Sequence, residues 1–144
     1  MYGAVFTPEQ RERLREVLVS AAYADTRITG AAVTGSAVVG AEDRWSDIDL
    51  ALCVAADAEF SQVLADWTDR MYREHAAVHH VDVSRGVPLY RVFLLDDTLQ
   101  VDLAFWSAAE FGAIAPTFRL LFGTANEPQM SPAPAAGELI CSSR

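Results

Sequence analysis

Two aspartates set two apart inside an apolar run, "SDIDLALCV", constrain this chain more than any other feature. On a β-strand, residues i and i+2 project from the same face. Asp47 and Asp49 would therefore point the same way, side by side. Carboxylates on an apolar strand are costly unless they are paired or hold a cation. A third one, Asp102, interrupts another apolar run, "QVDLAF", where Val101 and Leu103 would face a core and Asp102 the opposite side. The chain therefore needs a sheet with one buried face and one open face on which acids can gather.

The flanking pattern supports such a sheet. Thr7-Pro8-Glu9-Gln10 is a helix start: Thr as N-cap, Pro at the first helical position, Gln closing a capping box. Leu14, Val17, Leu18 and Ala21 recur at helical spacing, which predicts a helix from about 8 to 24. "ITGAAVTG" predicts a strand near 29–34, broken by Gly35-Ser36, and "AVVG" a helical turn. The aspartate pair lies on a strand near 47–54. Asp57 is placed to cap a second helix, with Phe60, Leu64, Trp67 and Met71 as its buried stripe and an end near His75. "VHHVDVS", "PLYRVFLL" and "TLQVDLAFW" predict three further strands, the last two as a hairpin turning at Asp96-Asp97. An irregular segment and the apolar run "FRLLFG" follow. The order helix, strand, strand, helix, three strands predicts an α/β or α+β fold with a mixed sheet flanked by helices. One domain over 1–124 and a Pro/Ala-rich tail over 125–144 are expected; the tail would be the start of a further C-terminal domain.

Composition narrows the function classes. The 144 residues suffice for one domain with a core, and 51% are hydrophobic. The net charge of −9 disfavours a stable complex with nucleic acid. No apolar run is long enough to span a membrane, and the N-terminus lacks the pattern of a signal peptide, so a cytoplasmic location is expected. Cys53 and Cys141 are too few for a disulfide scaffold. "HAAVHHVD" brings His75, His79, His80 and Asp82 close in sequence, but a helix ending inside it spoils the spacing for zinc, so packed or solvated histidines are expected.

The acids themselves suit a hard, oxygen-seeking cation. Mg²⁺ is bound by such carboxylates and by substrate phosphates together. Three carboxylates on one face could hold two ions for an in-line displacement at phosphorus. Gly35 would let the backbone turn sharply against a ligand, and Ser36 would offer its hydroxyl and backbone N–H to phosphate. Arg44 lies in the loop between them and the strand. If the 96–97 turn is tight, Arg91 falls opposite Asp102, to neutralise it, to touch a phosphate, or simply to form a structural ion pair.

"GSAVVGAEDRWSDIDLAL" with the later "VDLAF" resembles the nucleotidyltransferase superfamily typified by DNA polymerase β. The likeness is to its small bacterial branch, which contains aminoglycoside adenylyltransferases and minimal nucleotidyltransferases, and covers roughly residues 8 to 124. The resemblance implies a nucleotidyltransferase-like fold. It implies Gly35 and Ser36 on nucleotide phosphates. Arg44 and Arg91 are further candidate nucleotide contacts by their own positions, Arg44 being equally a solvated loop charge. Asp47 and Asp49 would be metal ligands, and Asp102 would be the third ligand or the base. It also implies transfer of a nucleoside monophosphate, AMP from ATP, to a hydroxyl of a small molecule such as an aminoglycoside-like antibiotic, with Mg²⁺ as cofactor. Where the branch usually has Ala-Arg-Gly, this chain has Val38-Val39-Gly40. Two alternatives accompany that reading: an antitoxin-type enzyme that modifies a partner toxin, and a catalytically inactive module that binds a nucleotide or a partner. In each case a homodimer or a partner protein would complete the site.

Overall fold

Thr7 opens the first helix as its residues dictate. Its hydroxyl accepts from Gln10 N at 3.1 Å, and Gln10 Oε1 accepts from Thr7 N at 2.8 Å, closing the capping box. The helix, α1, spans Pro8–Ala24. In the computed structural model, residues 5–35, 43–84, 88–111 and 118–123 are described. Strand β1 (Ile28–Val33) and β2 (Ile48–Val54) follow, then helix α2 (Phe60–Glu74), then β3 (Ala77–Asp82), β4 (Leu89–Leu95), β5 (Gln100–Ser107) and β6 (Arg119–Phe122). The architecture is α+β: two helices and a six-stranded mixed sheet in the order β3-β4-β5-β2-β1-β6. β2 and β5 run parallel, and the other neighbours run antiparallel.

Alternation along the strands separates two faces. Leu50, Leu52, Leu103, Phe105 and Phe93 turn toward α1 and α2, where Leu18, Val63, Trp67 and Met71 meet them in the main core. Trp67, Phe93 and Phe105 are at most 1% exposed, so truncating any one to Ala costs about 3–5 kcal/mol. The opposite face has a smaller cluster of Ala32, Ala51, Cys53, Ala104, Trp106 and Phe111. Cys53 is free and buried there. An acidic clasp ties the helices to the sheet: Asp25 accepts from Arg27 Nε and Nη2 at 3.0 and 2.9 Å and from Trp67 Nε1 at 3.1 Å. Arg27 and burial act on it in opposite directions, and the Arg27 hydrogen bond prevails and holds the Asp25 carboxyl below its ordinary pKa. Among the described residues no helix is long and apolar enough to cross a membrane.

Several expectations need correction. Asp57 does not cap α2; Glu59 holds that position and makes no side-chain cap bond. The chain first turns over Ala55–Ala58, with Ala58 N donating to Ala55 O, which delays the helix by two residues. "FRLLF" supplies a sixth strand, paired to β1. The β4–β5 hairpin is wider by one residue than a tight 96–97 turn. Thr98 takes a left-handed φ of 72°, Thr98 N donates to Leu95 O, and Leu95 N to Leu99 O. A three-residue loop closed by a left-handed residue is the second common hairpin geometry. The extra residue shifts the register, so Val92, not Arg91, stands opposite Asp102. The expected turn over 37–40, Ser36, Cys141 and the tail over 125–144 lie outside the described residues.

Candidate functional site

The three aspartates gather on the face away from the helices, at the end where β2 and β5 begin. Asp49 and Asp102 are direct partners in the parallel pair, and Asp47 immediately precedes β2. Their strand neighbours Ile48, Leu50, Val101 and Leu103 are buried in the main core, which forces the acids to the other side. Gln100, two residues before Asp102 on the same face, bridges the group. Its amide nitrogen donates to Asp47 Oδ2 and to Asp102 Oδ1, both at 3.1 Å.

Asp49 is the most strained of the three electrostatically. Burial pushes its pKa up, and a hydrogen bond to Asp102 and the charges of Asp102 and Asp47 push it further, to about 7. Arg15, reaching from α1, opposes this with its positive charge. Asp47 is also raised, by burial and then by Asp102. Near neutral pH the protonated Asp49 carboxyl can donate to Asp102, which relieves part of the repulsion.

Gly35 lies directly against this group. Thr34 N donates to Asp49 O at 3.0 Å, and Gly35 then adopts a φ of +77°. A Cβ at position 35 would fall on the Asp49 carboxylate, 2.9 Å from its Cγ. Only glycine fits, both for the space and for the backbone angle.

The chain leading into Asp47 is a braced turn. Ser46 N donates to Asp43 O at 3.2 Å, Asp43 N to Ser46 Oγ at 2.8 Å, and Trp45 N to Asp43 Oδ1 at 2.9 Å. From α1, the 4% exposed Arg11 donates through Nη1 to Asp43 O at 2.8 Å and to Ser46 O at 3.3 Å.

The structure thus brings together Asp47, Asp49, Asp102 and Gly35. Arg44 sits in the braced turn, with its guanidinium carbon 4.5 Å from the centre of the Trp45 ring and 5.2 Å from that of Phe6. Arg91 is not with the acids. It faces α2, where Nε and Nη2 donate a bidentate pair of hydrogen bonds to Asp82 at 2.6 and 2.9 Å and Nη1 donates to Thr68 Oγ1 at 2.9 Å. The expected pairing with Asp102 is not formed; Arg91 makes its ion pair with Asp82 instead. The histidines stand apart from the acids: His75 ends α2, His79 is exposed, and His80 Nδ1 lies 2.7 Å from Tyr72 Oη.

Sequence reasoning missed Gln100, Arg11 and Arg15. Gln100 was signalled by its i−2 spacing from Asp102 on one strand. Arg11 was signalled by falling into line with the buried Leu18 and Ala22 at helical spacing.

Among the described residues, no group of three or more His, Cys, Asp or Glu side chains is arranged so that it could hold a metal ion. The chain matches no protein-family model and no curated protein. Fold and site together define an α+β protein with a converging, partly protonated carboxylate group at the end of a parallel strand pair.

Proposed function

We propose that the chain is a Mg²⁺-dependent nucleotidyltransferase with a fold of the DNA polymerase β type, transferring AMP from ATP to a hydroxyl of a small acceptor. The observation that carries this reading is the pairing of Asp49 with Asp102 across β2 and β5, with the Gly35 backbone pressed against Asp49. Three carboxylates with opposing Arg15 as the cation felt at Asp49 form a donor set that suits a hard divalent ion. Asp47, Asp49 and Asp102 would hold it, once Gln100 releases one of the two carboxylates it bridges. Bound there, Mg²⁺ supplies neutralisation of the triphosphate charge. The acceptor oxygen forms a bond to the α-phosphorus, the bond to pyrophosphate breaks, and Asp102 takes the hydroxyl proton. Gly35 admits the phosphates close to the backbone, and a role for Ser36 beside it rests on the family resemblance. The net charge of −9 favours a cationic acceptor of the aminoglycoside kind.

One observation favours a second reading. The Gln100 amide already satisfies Asp47 and Asp102, which suits a module that binds a nucleotide or a partner without turnover. Calorimetry of ATP with and without Mg²⁺, on the wild type and on Asp49→Ala, separates the two. The enzyme reading expects Mg²⁺-dependent binding that weakens at least roughly tenfold in the variant. ATP binding that ignores both the metal and Asp49 supports the second reading. No binding by a folded wild type overturns the stand-alone enzyme.

A further inference from the structure

The braced turn ahead of Asp47 presents an aromatic ring that packing does not account for. Trp45 is 62% exposed, whereas Trp67 and Trp106 are 1% and 5% exposed. An indole left in water is the largest apolar surface a single side chain can expose. It is also held in place. Its backbone N–H is tied to Asp43, and the turn is gripped by Arg11 and by the Asp43–Ser46 bonds. Phe6 meets the ring edge-on with centroids 6.1 Å apart. The Arg44 guanidinium lies over the ring at 4.5 Å, and much of the indole is left to solvent. Arg44 Nη1 is itself buried without a hydrogen-bond partner among the described residues. A buried guanidinium nitrogen left unsatisfied beside an exposed, immobilised indole marks a place built for a ligand.

We infer that Trp45, backed by Arg44 and Phe6, is a stacking platform for a planar aromatic ring, and that in the reaction proposed above the ring is the nucleobase of the nucleotide. The inference rests on that reading for the identity of the ligand. Trp45 stands two residues before Asp47 in the chain, so in the reaction proposed above a ligand seated on the ring would extend along the turn toward the carboxylates. Stacking needs no base-specific hydrogen bond, so the platform fixes the position of the base and leaves its identity loosely specified. Because the turn is already rigid, little side-chain freedom is lost on binding.

The experiment uses the full chain and three probes: ATP, adenosine and inorganic tripolyphosphate, each with Mg²⁺. Tryptophan emission is followed in the wild type and in Trp45→Phe, whose difference isolates residue 45 from the two buried indoles. Affinities are measured for the wild type, Trp45→Phe and Trp45→Leu. ATP and adenosine are expected to quench the Trp45 signal, and tripolyphosphate to leave it unchanged. Trp45→Leu should weaken ATP roughly 5- to 100-fold, Trp45→Phe less, and neither should alter tripolyphosphate binding or the melting temperature. ATP that binds with the Trp45 emission unchanged and with equal affinity in Trp45→Leu overturns the platform. Quenching by adenosine without Mg²⁺-dependent binding of ATP or tripolyphosphate upholds the platform and overturns the phosphate reading instead.

Discussion

Asp49 and Asp102 are register partners in the one parallel strand pair of the described sheet, and Asp102 helps push the Asp49 pKa up. Two acids so placed cannot both ionise without repulsion. The arrangement persists because the strands are pinned from behind by Leu50 and Leu103, at 1% and 0% exposure. The core determines the position of the site, and the site in turn acts against the stability of the core.

That opposition is measurable as a pH dependence. The folded-state pKa of Asp49 is raised from 3.8 to about 7, so the folded protein holds a proton that the unfolded chain releases. The stabilisation is complete below about pH 4 and is lost as pH rises through 7. Asp49→Asn should therefore be more stable than the wild type at pH 8, by about 1–3 kcal/mol, and indistinguishable from it near pH 4. Thermal melts of metal-free protein across that range check this, and an equal difference at both ends would refute the assigned protonation.

Gly35→Ala tests the close approach of backbone and carboxylate. The added methyl meets the Asp49 carboxylate and the left-handed φ penalises any Cβ. A loss of about 1–3 kcal/mol in chemical denaturation is expected, together with at least tenfold weaker Mg²⁺-dependent ATP binding. Unchanged ATP affinity in the variant would show that nothing binds against this backbone.

Arg91→Met distinguishes the two faces of the sheet. Arg91 bonds to Asp82 and Thr68 on the helix side, and its partly exposed ion pair is worth about 1 kcal/mol. The variant should lose about that much stability and bind ATP as the wild type does. A tenfold loss of ATP affinity at unchanged stability would place Arg91 back with the acids.

What could be read in advance was what depends on near neighbours in sequence. The Thr7–Gln10 capping box, the strand around Asp47 and Asp49, and the outward turn of Asp102 all follow from local periodicity and cap chemistry. The register of β4 on β5 did not, because it hangs on Thr98. A β-branched residue seldom adopts a left-handed φ, and Gly or Asn would have signalled that loop. Hence Arg91 was expected one position out, on the wrong face. Arg11 and Arg15 act on the turn and on Asp49 from a helix far off in the chain, and Gln100 reaches Asp47 from another strand; no spacing rule connects a helix at residue 11 to a turn at 43–46. Trp45 gave no signal in the sequence, since its exposure is a property of the assembled turn.

The parallel pairing of β2 and β5 also has a temporal meaning. β1 and β2 are neighbours in sequence and can zip early, but β5 must arrive from beyond α2, β3 and β4. Until it does, the edge of β2 bearing Leu50, Leu52 and Val54 stands uncovered, and contacts of such long sequence separation form slowly. Asp47 and Asp49 therefore wait for Asp102, and the carboxylate group of this chain exists only after β5 is in place.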